Sequence, residues 1–133
     1  MFSHIMIGSN DLTRSKTFYD AVLGTLGFTG EAVPNTTSSG HDRLIYMHDG
    51  SILILTQPIN DEAATAANGG TIGFACRSPE KVREFHDVGA ANGGTSIEEP
   101  PGVRDVPGLG PLHLSYLRDP DGNKLCGFFR EEA

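Results

Sequence analysis

The sequence predicts an α+β protein made of two tandem βαβββ units, and three observations carry that reading. The first is an internal repeat. Ile5 and Ile72, Phe18 and Phe85, Asp20 and Asp87, and Gly27 and Gly94 all pair at a constant offset of 67 residues. The capping residues Asp11 and Ser78 fall in the same frame. A repeated unit outranks any single motif as evidence of architecture. The second is periodicity, which switches in each half from short strand-like runs to one helical stretch and back. The third is composition: 17 Gly and 8 Pro in 133 residues suit many short strands joined by turns.

Taken in order, Phe2–Gly8 is short and apolar and reads as a strand. Asp11 is a good N-cap, after which Leu12, Ser15, Phe18, Tyr19, Val22, Leu23 and Leu26 recur at helical spacing. Gly24 weakens this helix and Gly27 ends it. Residues 29–33 suit a strand, and 34–42 a polar, Gly-containing loop. Arg43–His48 and Ser51–Gln57 are strands joined by Asp49-Gly50, a pair that tolerates positive φ and so signals a hairpin.

The stretch 58–70 is rich in Ala, Asn and Gly and poor in large apolar residues. It separates module one (1–60) from module two (70–133), with 61–69 as the linker proper. Thr71–Cys76 is the next strand. Ser78-Pro79-Glu80 supplies an N-cap, a first-turn Pro and a first-turn acid; Val82, Phe85, His86 and Gly89 then share one helical face. Thr95–Glu98 is a short strand. Glu99–Pro111 holds four prolines and three glycines and is read as irregular. His113–Leu117 and Lys124–Phe129 are strands joined by Asp119-Pro120-Asp121-Gly122-Asn123. Neither half can bury its sheet alone, so the two must pack together.

A net charge of −7 disfavours nucleic acid as a partner and mildly favours cationic ligands, although solubility accounts for it equally well. Cys76 and Cys126 form no CxxC and no disulfide framework, and read as reduced thiols. Met1–Gly8 lacks the pattern of a signal peptide, and no stretch has the length of a membrane span. A cytoplasmic location is expected.

Several of these segments resemble the vicinal oxygen chelate superfamily, the glyoxalase/bleomycin resistance protein/dioxygenase proteins. His4-Ile5 followed by Asp11-Leu12-Thr13-Arg14-Ser15 and Phe18-Tyr19 is similar to the family's opening strand and helix. Leu23-Gly24 and Leu26-Gly27-Phe28 are similar to its helix end, and Gly70-Thr71-Ile72-Gly73-Phe74 to its second-module opening. Tyr116-Leu117-Arg118-Asp119-Pro120-Asp121-Gly122-Asn123-Lys124-Leu125 is similar to its last two strands and their turn. The resemblance spans essentially the whole chain. It implies a curved mixed sheet around a small-molecule cavity, and a homodimer, since family members complete cavities by pairing modules within or between chains.

In this family a metal is held by one residue from the first strand and one from the last strand of each module, and acts as a Lewis acid on neighbouring substrate oxygens. By resemblance those positions are His4, Thr71, Ile54 and Cys126. Only His4 is a standard ligand, whereas a tightly held catalytic metal ordinarily needs three. The resemblance therefore implies a small-molecule binder with a degenerate metal site and no tightly bound metal. The alternative is a lactoylglutathione-lyase-like lyase or isomerase using a non-standard divalent site (Zn, Ni, Fe or Mn) of His4 with Cys126 or His113.

The remaining pocket candidates are His113, Tyr116 and Arg104. The odd spacing of His113 and Tyr116 puts them on opposite faces of one strand, so only one can face a cavity. Arg104 is the only cation in 99–111 and suits a carboxylate or phosphate. Cys126 is read either as a thiolate ligand or as a buried apolar filler. His48 is read as solvent-facing, and His41 and His86 lack metal-motif spacing. The 119–123 segment is read as turn chemistry, with no catalytic part.

Overall fold

The computed structural model describes residues 1–131. Module one runs β1 (Ile5–Gly8), α1 (Leu12–Thr25), β2 (Val33–Thr36), β3 (Asp42–His48) and β4 (Ser51–Thr56). Module two runs β5 (Ile72–Ala75), α2 (Pro79–Ala91), β6 (Thr95–Ser96), β7 (Gly102–Val106), β8 (Gly110–Arg118) and β9 (Lys124–Arg130). Each module builds its own mixed sheet, ordered β1-β4-β3-β2 and β5-β9-β8-β6, with β7 also on β8. The first strand pairs parallel with the last in both modules, and every other pairing is antiparallel. No helix among the described residues is long and apolar enough to cross a membrane.

Both helices start as their caps dictate. The Asp11 carboxylate accepts from the Arg14 N–H at 3.0 Å, and the Ser78 hydroxyl from the Lys81 N–H at 3.1 Å. Their apolar faces fuse into one core, holding Phe18, Tyr19, Val22, Leu53, Leu55, Val82, Phe85, Leu117 and Leu125, that the two modules share. The helices meet at Gly89, where a Cβ would run into Leu117, Val22 and Phe18. Gly94 lies equally close to Phe18 and to the Arg118 carbonyl. Here glycine is required by approach, not by backbone angle.

Two expectations need correction. The edge strand of module one is β2 at Val33–Thr36, not 29–33; Pro34 is tolerated because β2 pairs on one side only. The stretch 99–111 is not wholly irregular. Pro100, Pro101 and Pro107 flank Gly102–Val106 without entering it, and that run pairs with β8 from Gly102↔Leu114 to Val106↔Gly110. Because β6 and β7 line the same side of β8, they are one edge broken at Ile97–Pro101. The break also explains why the repeat drifts: the offset is 67 residues at Ile5 and Ile72, but 72 between Leu53 and Leu125, the residues they pair with.

The turn at 119–123 ties the modules together. The buried Asp119 carboxylate accepts from the Tyr19 hydroxyl at 2.6 Å, from the Asn123 amide and from the N–H groups of Asp121 and Asn123. Asp121 accepts from the Asn10 N–H, the Arg14 guanidinium and the Ser15 hydroxyl. Burial, and then the Asp119 charge, hold the Tyr19 hydroxyl well above its ordinary pKa, so it remains a donor.

Candidate functional site

Strand alternation gives each sheet a face turned to the shared core and an open face. On sheet one, Leu44, Tyr46, Leu53 and Leu55 pack into the core. The open face therefore carries the row Val33–Ile45–Ile54–Met6 across all four strands, with Met47 beside Ile52 in the next row. His4 directly precedes β1 on this face. It is exposed, and its Nδ1 lies 2.8 Å from the Ser3 hydroxyl.

On sheet two, Ser115, Leu117 and Leu125 face the helices, and the open face carries Gly73–Cys126–Tyr116 in one row. The next rows are Ala75–Phe128–Leu114–Gly102 and Arg130–Leu112–Arg104. Leu112, Leu114 and Cys126, with Val106, Tyr116 and Phe128 against them, make a second small apolar cluster. Arg104 sits at its margin, donating to the carbonyls of Gly102 (3.0 Å) and Pro100 (3.1 Å), with Glu99 at 3.5 Å.

The register makes the two modules comparable residue by residue. Ile5 pairs with Leu53 and Ile72 with Leu125, so Ile54 and Cys126 occupy equivalent places, one residue on. His4 and Thr71, each one residue before those first partners, are equivalent too.

Of the pocket candidates, Tyr116 and Cys126 are brought together as direct cross-strand partners. Burial pushes the Cys126 thiol up, and the neighbouring Tyr116 hydroxyl opposes this without reversing it. Tyr116 is also raised, first by burial and then by Cys126. Thr71 adjoins this face through β5. His113 does not join it: it lies on the core side of β8, its ring tilted against that of Phe129 and 3.0 Å from Glu131. His113 is therefore unsuited to share a ligand with Cys126, as the odd spacing to Tyr116 requires.

The other histidines are pinned structurally. His41 lies between Ser39 and Asp61, each 2.8 Å from a ring nitrogen, and His86 between Asp87 (2.8 Å) and Ser96 (2.7 Å). His48 is half-buried, not solvent-facing, and lies 3.2 Å from the Leu26 carbonyl.

Sequence reasoning missed two residues of this face. Lys124 stands 4.9 Å over the Tyr116 ring and pairs with Glu98. Glu98 holds a left-handed φ of 59° in the break between β6 and β7, a conformation costly for a residue other than Gly. The parity of Lys124 with Cys126 on one strand was the available signal; nothing local marked Glu98.

The donor chemistry does not fit a tightly held divalent ion. Among the described residues no three His, Cys, Asp or Glu side chains converge. Of the four equivalent positions, His4 offers an imidazole, Thr71 a weak neutral oxygen, Ile54 nothing, and Cys126 a thiol that burial keeps protonated.

A family model described as the Glyoxalase/Bleomycin resistance protein/Dioxygenase superfamily matches residues 1–126. A solved glyoxalase/bleomycin resistance protein from Albidiferax ferrireducens T118 is 53% identical with TM-score 0.87, over 98% of this chain and 99% of that one. A glyoxalase-related enzyme from Fulvimarina pelagi shares the fold at 19% identity and TM-score 0.70, over 98% and 88% of the two chains. A genomically encoded fosfomycin resistance protein from Listeria monocytogenes does so at 18% identity and TM-score 0.71, over 98% and 94%. No curated protein matches the sequence.

Proposed function

The chain belongs to the glyoxalase/bleomycin resistance protein/dioxygenase superfamily, and from that membership we propose that it binds a small molecule against the open faces of its sheets, without a resident catalytic metal. The observation that carries the reading is the filling of the four equivalent positions. Ile54 and Cys126 extend apolar surface where a metal enzyme needs charged oxygens, and Thr71 cannot replace an imidazole. What remains is an apolar floor with a few polar groups at its margin, the usual composition of a ligand pocket.

The module-one floor also needs a cover. Met6, Val33 and Met47 are 38%, 43% and 57% exposed on one sheet face, continuous with Ile45, Ile52 and Ile54. An apolar patch of this extent favours an interface. The occupant proposed is a second copy of the chain, bringing its own open face over the ligand.

Two measurements test this. Elemental analysis of protein purified without an affinity tag should find far less than one metal ion per chain. A stoichiometric metal that disappears in His4→Ala, with nickel- or zinc-dependent turnover of the glutathione–methylglyoxal hemithioacetal, would establish the lyase reading instead. The uncharged apolar fluorophore Nile red should bind saturably, and Ile54→Arg should abolish that binding with circular dichroism unchanged. Unaltered binding in Ile54→Arg would remove the open face from the site.

A further inference from the structure

At the end of the sheet-two open face, next to Tyr116, lies a pocket of about 420 Å³ whose lining includes Asn68, Gly69, Gly70, Thr71, Arg118 and Lys124. Its setting is electrostatically unusual. Arg118 and Lys124 are direct cross-strand partners, so two cations face each other on one sheet face. Like charges in that relation destabilise a sheet. The chain as a whole is acidic, at −7 with only ten Lys and Arg, so the pairing runs against its composition. It is also absent from the other module, where the equivalent cross-strand pair is Met47 and Ile52.

The two cations are not equally neutralised. Lys124 has Glu98 as counter-ion. Arg118 donates through Nη1 to the Gly122 carbonyl at 2.7 Å and has no carboxylate partner among the described residues. The opposite wall is the 66–70 loop. Gly70 N–H donates to the Ala67 carbonyl, while the N–H groups of Asn68 and Gly69 have no partner among the described residues. Gly69 sits at φ 92°, which only glycine adopts freely. Thr71 adds a hydroxyl. A guanidinium without a carboxylate partner, an ammonium, a hydroxyl and loop N–H groups around one small pocket are the chemistry that holds an oxyanion.

We propose that this pocket is an oxyanion subsite, taking the phosphate or carboxylate group of the small molecule whose apolar part lies on the Tyr116–Cys126 floor. The proposal deepens the small-molecule reading above and rests on it. It also reverses the preference for cationic ligands suggested by net charge, because Arg118, which no carboxylate pairs among the described residues, acts at close range, whereas the net charge is summed over acids spread along the chain.

The test is a ¹H–¹⁵N NMR titration of the full chain at constant ionic strength, with inorganic phosphate in one series and acetate in another. Saturable shifts at Gly69, Gly70 and Thr71 are expected. A tighter response to phosphate identifies a phosphoryl ligand, and a tighter response to acetate a carboxylate. Arg118→Gln should weaken binding about tenfold, the loss expected for one charge-assisted contact. Arg83→Gln, an exposed change on α2, should leave it intact. Shifts that stay linear in both series, or an Arg118→Gln protein that binds as tightly as the parent, would overturn the subsite. The small-molecule reading is judged separately, by the fluorophore and Ile54→Arg.

Discussion

The two modules place different chemistry at the same sheet positions. Ile45 and Ile54 in module one become Tyr116 and Cys126 in module two, and Met47 and Ile52 become Arg118 and Lys124. Their last hairpins differ as well. Asp49-Gly50 is an exposed two-residue turn, whereas Asp119–Asn123 is drawn into the module interface. One backbone plan has thus been divided into a hydrocarbon wall and a counterpart that adds a phenol, a thiol and two cations to its apolar cluster. Duplication supplies the frame, and the side chains on the open faces decide what each half contributes.

The largest expected effect comes from the hairpins. Asp119→Ala strips partners from the buried Tyr19 hydroxyl, the Asn123 amide and two backbone N–H groups at once. The loss should be about 3 kcal/mol or more, because each orphaned buried group costs roughly 1–3 kcal/mol. Asp49→Gly, at an exposed residue held at φ 48°, should be neutral or stabilising by less than about 1 kcal/mol. Urea denaturation of both variants checks the contrast; equal losses would mean that the 119–123 turn does not lock the modules.

Much of this was legible in the chain. The repeat, both caps and the Asp-Gly hairpin specify local structure through spacing and turn preference, and the first strand and helix of each module fall where they predict. The edge strands were not legible. Val33–Thr36 carries a Pro, and Gly102–Val106 is hemmed by prolines, so local signals argue for loop while pairing with β3 and β8 makes strand. The equivalence of Ile54 with Cys126 follows from register, a long-range property. The association of Glu98 with Lys124 depends on a strained loop that no sequence pattern announces.

The hydrocarbon wall should fail differently. Met47→Glu adds a charge to an exposed position on the proposed interface. It should shift sedimentation from dimer to monomer at micromolar concentration while moving the urea midpoint little, since Met47 lies outside the shared core. A parent protein that is already monomeric would refute the cover proposed for this face.

The modules can also be made more alike. Thr71→His combined with Cys126→Glu would add a second imidazole and a carboxylate to His4, matching three places of the family's ligand pattern. Zinc or nickel affinity by calorimetry should then rise at least tenfold over the parent, because a set of one standard ligand becomes a set of three. No gain would mean that the two first strands do not approach a common centre, even across a dimer.

The smallest effect concerns Cys126 itself. Burial raises its pKa, and the neighbouring Tyr116 hydroxyl and the Lys124 charge only partly compensate. At neutral pH the thiol is thus protonated, and its thiolate appears only above the range of an ordinary free cysteine. The sign follows for stability: a raised thiol pKa favours the folded state below the unfolded value, and that contribution is lost as pH rises through the folded value. Alkylation by iodoacetamide, followed by peptide mass analysis, should be slower at Cys126 than for a free thiol at neutral pH and climb at higher pH. Tyr116→Phe removes the hydroxyl that favours the thiolate and should displace the climb further upward. A Cys126 that reacts at neutral pH faster than a free thiol would instead mark it as an activated thiolate, and would return module two's floor to candidacy as a soft-metal or nucleophilic site.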